Sequence, residues 1–143
     1  MGATLALHST SANPWNSPCA RGRRGETARV TIEQITSEIR IFRDERDWKQ
    51  FHNPKEMAVA IAVEAGELLE HFTWKTPEQS EQCACERRDQ IAEEMADVAI
   101  LLFEMADNVG IDLSVAIQAK LAKNAVKYPV AKSRGSNRKY NEL

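Results

Sequence analysis

Four acidic side chains in two separate segments have the types and spacing to bind a divalent cation. Glu64 and Glu67 are three residues apart, and Glu94 and Asp97 repeat that spacing further along the chain. Acids three apart lie on one face of a helix. Ionised carboxylates beside apolar surface are unfavourable unless a cation compensates them. A hard divalent ion is the simplest compensation, and Mg²⁺ commonly shares such a site with phosphate oxygens.

The position of these acids follows from the apolar periodicity of two predicted helices. The buried stripe of one is predicted to be Met57, Ile61, Ala65, Leu68 and Phe72. That of the other is predicted to be Ile91, Met95, Val98, Leu102, Met105 and Val109. The four acids fall on the shoulders of these stripes, whereas Glu70, Glu93 and Glu104 are predicted to lie further out.

Solvation, a di-iron centre and a zinc site are the alternatives to a magnesium site. Most acids on helices are simply solvated, but no Lys or Arg occupies the same shoulders to compensate these four. A di-iron centre needs Glu-x-x-His on two helices, whereas His71 follows Glu67 at the fourth position and the later helix has no His. Cys83 and Cys85 lack the partners of a zinc site.

Helix-start signals predict an all-α protein, a four-helix bundle built to position these acids. Thr31 and Gln34 form a capping box, Asn53 precedes Pro54, and Asp112 is a third cap. The helix with the second acidic pair is firmly predicted from 91 to 109, but TPEQ at 76–79 is another start signal, so its beginning stays open. The last helix must end near residue 128, before a proline.

Charge and hydropathy exclude several classes of protein. The net charge of −2 combines basic ends, each of +3 (residues 1–29 and 130–143), with a middle of −8. An acidic core argues against a nucleic-acid groove. No apolar run is long enough for a membrane span, and the N-terminus is unlike a secretory signal. We therefore expect a cytoplasmic protein with an N-terminal extension (1–29), one helical catalytic domain (30–129) and a basic tail (130–143).

Five stretches of the chain resemble a known family. They are ERDWKQFHNP (45–54), EAGELLEHFTWKT (64–76), EEMADVAILL (93–102), KLAKNAVKYP (120–129) and SNRKYNEL (136–143). The chain is similar in these to the all-α nucleoside triphosphate pyrophosphohydrolases of the MazG type, and within them to the dCTP pyrophosphatase branch. ExxE followed by ExxD is the wider signature, and ERDW-x-x-FH with the RKY-x-EL ending marks the branch. The resemblance covers residues 30–143.

The resemblance implies hydrolysis of a (deoxy)nucleoside triphosphate to the monophosphate and pyrophosphate, with Mg²⁺ or, in its place, Mn²⁺. It implies that Glu64, Glu67, Glu94 and Asp97 bind the metal and that Glu64 and Glu67 are catalytic. It places Trp48, Phe51, His52 and Trp74 around the base, and Lys120, Asn124, Lys127 and Tyr128 near the phosphates. It also implies a homodimer or homotetramer whose pocket is completed by a neighbouring subunit.

Residue spacing supports these roles only in part. Lys120, Asn124 and Lys127 share one helix face and could bind a polyphosphate, but a solvated basic face near a helix end is an equal alternative. Trp48 and Trp74 could each stack on a base or pack in a core. For Trp74, core packing is the favoured interpretation. His52 could simply belong to its loop.

Two positions depart from the branch, and they bear on the choice of base. Ile39 stands where animal dCTP enzymes have a His, and Leu101 where they have a Tyr. These changes weaken the case for strict cytosine selection, so a pyrimidine preference is predicted with dCTP first. Two alternatives stay open: a catalytically silent helical module that senses nucleotides or binds partners, and a hydrolase of phosphoribosyl nucleotides. Retention of all four acids favours the enzyme.

Overall fold

The computed structural model describes residues 30–142, and these form helices and connecting loops without a strand. The predicted all-α class is therefore confirmed. The extension predicted for residues 1–29 lies outside the described residues, and the division into three regions stays a prediction. The helices are α1 (Ile32–Asp44), α2 (Pro54–Glu70), α3 (Pro77–Glu86), α4 (Arg88–Asn108), α5 (Leu113–Lys127) and α6 (Val130–Ser133), with 3₁₀ turns at Trp48–Gln50 and Tyr140–Glu142.

The predicted helix starts are confirmed by their hydrogen bonds. The Thr31 hydroxyl accepts from the Gln34 N–H at 3.2 Å, and the Gln34 side chain accepts from the Thr31 N–H at 2.8 Å. The Asn53 side chain accepts two backbone N–H groups at 3.1 Å, with Pro54 in the first helical position. Asp112 accepts a backbone N–H at 2.9 Å and begins α5. Such caps satisfy N–H groups that have no partner within the helix.

The region whose start was open divides into two helices. Thr76 forms a second capping box with Gln79, so α3 begins at the TPEQ signal. Arg87 then leaves helical geometry (φ −111°, ψ 28°), and α4 begins at Arg88. The structure thus adds α3 and the one-turn α6 to the four predicted helices.

Helix α4 is the centre of the packing. It packs most extensively against α2, and α1 and α3 also pack against it, whereas α5 makes sparser contacts with the rest of the described chain. The most buried apolar side chain is Met57 of α2, which is 2% exposed, and Ile39 of α1 and Ala106 of α4 are also buried. The acidic pairs therefore lie on the two helices that pack most closely. Within residues 30–142, none of the helices has the length and apolar character needed to cross a bilayer.

The predicted stripe of α4 is only partly correct. Ile91, Val98 and Met105 are half-buried, but Met95, Leu102 and Val109 are 58%, 41% and 41% exposed. The exposed three recur every seven residues and so share one side of the helix. Burial is also wrong for Ala65 on α2, which is exposed. Periodicity detects an apolar side of a helix but does not show whether the same chain covers it.

An ion pair joins α1 to the end of α4. Arg40 donates from Nε to Asp107 Oδ2 at 3.1 Å and from Nη2 to Oδ1 at 2.5 Å. This hydrogen bonding holds the pKa of Asp107 below its ordinary value. The contact adds an ion pair to the packing of α1 against α4.

We expect Asp107→Asn to lower the free energy of unfolding at pH 7 by about 0.5 kcal/mol, because the pair is partly exposed. A carboxyl with a lowered folded-state pKa adds stability above its unfolded value, here 3.8, and loses it as the pH falls through the folded value. Urea unfolding of both proteins at pH 7 and in acid measures this difference. An equal difference at both pH values would contradict the assignment.

Candidate functional site

A cluster of three carboxylates lies between α2 and α4. Glu64 from α2 and Glu94 and Asp97 from α4 each place one oxygen within 4.8 Å of the others. The two glutamates are half-buried and the aspartate is exposed. Because the two helices pack closely, acids far apart in sequence meet across the interface. The cluster could hold a divalent cation.

Glu67 lies beside this cluster without joining it. It is exposed, and its negative charge acts on Glu64. Burial, first, and then the charges of Glu67, Asp97 and Glu94 raise the pKa of Glu64. The charged groups that raise the pKa of Glu64 are all carboxylates. An oxygen donor set with uncompensated negative charge fits a hard divalent ion.

The raised pKa predicts how stability depends on pH without metal. The ordinary value is 4.5, and the folded chain holds the Glu64 proton above it. The contribution of this group is present below the unfolded value and is lost as the pH rises through the folded value. In EDTA at pH 7, Glu64→Gln should therefore melt no lower than wild type, and Mg²⁺ should raise the melting temperature of wild type alone. A lower melting temperature of the variant in EDTA would contradict this.

An apolar cavity of about 380 Å³ lies close to the acidic cluster. Asp97, Leu101 and Glu104 are spaced by four and three residues, so they follow one side of α4. The rise from Asp97 to Leu101 is about 6 Å. Residues that line the cavity include Ile39, Arg43, Trp48, His52, Leu101 and Glu104.

Trp48 and His52 line this cavity side by side. Their ring centroids are 6.2 Å apart, and the centroids of the Trp48 and Phe42 rings are 5.9 Å apart in a T-shaped arrangement. Asp47, just before the 3₁₀ turn, has a left-handed backbone (φ 54°), which turns the chain into Trp48. The indole remains 43% exposed. An aromatic ring that is open on part of its surface can accept a planar ligand.

Two residues expected near the base do not line the cavity. Phe51 is 61% exposed, and Trp74 is fully exposed with a left-handed backbone (φ 59°). Trp74 lines a separate surface depression with Gln79 and Arg87. Core packing, the alternative favoured for Trp74, is wrong for this single chain.

The four residues expected near the phosphates lie on α5 and at its end, on a separate surface of this chain. Lys120, Lys127 and Tyr128 are exposed and Asn124 is half-buried. Tyr140 returns to this end of α5: its ring lies 5.9 Å from that of Tyr128 and 5.0 Å from Lys127 Nζ. Among the described residues, no ion pair joins these lysines to the acidic cluster.

A buried polar group at the cavity was not predicted from the sequence. Glu104 was expected to lie further out, which is wrong: it is 4% exposed and contacts His52. Arg43, only 2% exposed, was not singled out at all. A signal existed, since Glu104 follows Asp97 by seven residues and must share its side of the helix.

Comparison with known proteins shows the family of this chain. Residues 59–143 match the model of the MazG-like family. The chain belongs to that family. dCTP pyrophosphatase 1 of Homo sapiens is 38% identical over 126 residues, covering 87% of this chain and 74% of that protein. The protein of the same name from Bos taurus is 38% identical over 129 residues, covering 89% and 76%.

A solved structure shares the fold of this MazG-like chain. A crystal structure of a pyrophosphatase from Archaeoglobus fulgidus superposes with a TM-score of 0.67 at 34% identity. The match covers 74% of this chain and 99% of that one. The family resemblance inferred from the sequence motifs is thereby confirmed, including the likeness to the dCTP pyrophosphatase branch.

Proposed function

We propose that this MazG-like protein hydrolyses dCTP, or a related or modified pyrimidine deoxynucleoside triphosphate, to the monophosphate and pyrophosphate. The observation that carries the proposal is the acidic cluster about one helical turn from an apolar cavity on the same side of α4. A base in the cavity would extend its phosphates toward the acids. The dCTP pyrophosphatase names of the relatives support this substrate, and removal of unwanted nucleotides from a cytoplasmic pool is the role that we infer.

The acids would hold the metal that this reaction requires. Glu64, Glu94 and Asp97 supply the meeting oxygens, and Glu67 supplies a further carboxylate beside them. Mg²⁺, with Mn²⁺ as a substitute, when bound supplies positive charge to the phosphates and makes water more acidic. The remaining steps fall to the side chains of the protein.

Glu67, the acid outside the three-carboxylate cluster, is the residue to which we assign proton transfer. One water is consumed as the α–β anhydride link breaks: its oxygen joins one of the two phosphorus atoms, and the group on the other phosphorus leaves with the bonding electron pair, which gives the monophosphate and pyrophosphate. We assign acceptance of the water proton to Glu67, because it is exposed and outside the three-oxygen group. Glu64 would orient the site as a ligand.

A neighbouring copy of the chain would complete the pocket. The exposed line Met95, Leu102 and Val109 on α4 lacks a cover in the described chain, and Val126 on α5 is 81% exposed. Burial of such apolar surfaces is the usual driving force of association. We infer a homodimer or homotetramer in which Phe51, Trp74, Lys120, Asn124, Lys127 and Tyr128 reach the nucleotide through this assembly.

Light scattering tests the assembly. The expected mass is two or four times the 16.1 kDa of the chain. Leu102→Glu should shift the protein toward the monomer and reduce pyrophosphate release, because it places a charge in the line on α4. An active wild-type protein of single-chain mass at assay concentrations would contradict the inferred interface.

The products decide whether the proposed reaction occurs. Incubation with dCTP and Mg²⁺, followed by anion-exchange chromatography, should show dCMP and pyrophosphate in equal amounts. Formation of dCDP and phosphate would contradict the proposed reaction and indicate a phosphatase activity instead. Tight binding of dCTP without any product would favour the alternative of a silent nucleotide-sensing module.

A further inference from the structure

The buried polar group at the cavity has a specific short contact. The His52 imidazole Nδ1 and Glu104 Oε1 are 2.5 Å apart, and both residues line the cavity. The side chains are 23% and 5% exposed. The contact joins the segment before α2 to the last part of α4, across 52 positions of sequence. It therefore exists only in the folded site.

Glu104 also lies near the charge of Arg43, but the two side chains do not share a hydrogen bond. Arg43 Nη1 lies 3.8 Å from Glu104 Oε1, which is too long for a hydrogen bond. The guanidinium already donates to Asp44 Oδ1 at 2.7 Å and to Asn108 Oδ1 at 2.6 Å. The short contact of the carboxylate is with His52.

This contact fixes where the imidazole carries its proton. A carboxylate only accepts hydrogen bonds. Nδ1 of His52 must then be the donor. Asn108 also donates to the His52 carbonyl at 3.4 Å, which helps to hold the residue. In a neutral imidazole, Nε2 is left as an acceptor for a ligand in the cavity.

We propose that Glu104 is a positioning residue that sets the base preference of the cavity through His52. This proposal rests on the proposed function, because that function identifies the ligand of the cavity as a nucleotide. Cytosine presents an exocyclic amino donor at the position where uracil and thymine present a carbonyl acceptor. An accepting Nε2 pairs with the amino group and leaves the carbonyl unpaired, which we expect to favour cytosine by about tenfold. The selection thus uses polar atoms that the apolar Ile39 and Leu101 cannot provide.

The tautomer is tested directly by ¹⁵N NMR of the histidine rings in the intact protein. The chain has three histidines, and His52→Gln assigns the signal. We expect a protonated Nδ1 and an unprotonated Nε2 at pH 7.5. A protonated Nε2 in the wild-type protein would overturn the proposal, and this measurement does not depend on turnover.

The base preference is tested by calorimetric binding of dCMP and dUMP. The variant is Arg43→Leu with Glu104→Leu, since removing both charges leaves no buried charge without a partner. Glu81→Gln, at an exposed position of α3, is the control. We expect wild type and control to bind dCMP about tenfold more tightly and the double variant to bind both alike.

The outcomes separate the role of Glu104 from the proposed reaction. If the double variant binds dCMP and dUMP more weakly by the same factor, Glu104 has a structural role and the proposal is overturned. Failure of the wild-type protein to bind either nucleotide would also overturn it. A wild-type protein that prefers dCMP in this way but releases no pyrophosphate from dCTP would refute the proposed reaction and leave the role of Glu104 intact.

Discussion

Replacement of Glu64 by glutamine should lower kcat for pyrophosphate release from dCTP by at least about 100-fold, since even residues that only support a metal ligand typically cost 10–100-fold. Glu64 is the acid on which the other three charges act, and it meets Glu94 and Asp97 across the α2–α4 interface. Its amide would occupy the same space with one oxygen and no charge. Steady-state assays at saturating Mg²⁺ measure the effect.

Glu70→Gln is the matched control for that experiment. Glu70 is on the same helix and is exposed, away from the cluster. This variant should keep wild-type activity, and both variants should keep the helical circular-dichroism spectrum. A folded Glu64→Gln protein with kcat within a few-fold of wild type would remove Glu64 from the metal site.

Trp48→Ala should lower kcat/KM for dCTP by about 10- to 100-fold, because stacking on an aromatic side chain contributes roughly 1–3 kcal/mol per base. The indole lines the cavity beside His52 and is open on part of its surface. Its removal takes away the largest flat surface available to a base. The loss should lie mainly in KM, because the carboxylates are unchanged.

Trp48→Phe separates stacking from packing. It keeps an aromatic ring beside Phe42, so most of the activity should return. The melting temperature of each variant shows whether a loss of activity follows a loss of stability. An alanine variant with wild-type KM for dCTP would place the base elsewhere on the protein.

Local sequence signals were sufficient to predict where three of the helices begin. Thr31, Asn53 and Asp112 cap the helices that they were predicted to cap, because the interaction is confined to a few neighbouring residues. Thr76 shows the limit of such signals. Its capping pattern was recognised, but the break at Arg87 has neither Gly nor Pro to mark it, so the division between α3 and α4 was not predicted.

The acidic site could be anticipated because the i, i+3 spacing fixes which side of a helix an acid takes. The structure brings together Glu64, Glu94 and Asp97, and it leaves Glu67 beside them. Burial of Glu104 was not predicted, since a charged residue outside the apolar stripe is expected to be solvated unless its partner is known. That partner, His52, is distant in sequence and comes close only through the fold.

The roles expected for Trp74 and α5 depend on contacts with a neighbouring copy of the protein, which the structure of one chain does not contain. Trp74 is fully exposed, and α5 packs sparsely on the rest of the described residues. The periodicity of a sequence does not show whether these surfaces are covered by another copy of the protein. By contrast, the positions predicted to change the choice of base, Ile39 and Leu101, both line the cavity.

The most direct test of the proposed hydrolysis is pyrophosphate release from each canonical NTP and dNTP with Mg²⁺, with Glu64→Gln measured in parallel. We predict the fastest release from dCTP and none above background from the variant. Fast release from another nucleotide would keep the carboxylate chemistry and reassign the pocket around Ile39 and Leu101. No release from any nucleotide, in folded protein of the expected assembly, would contradict the assignment as a pyrophosphohydrolase.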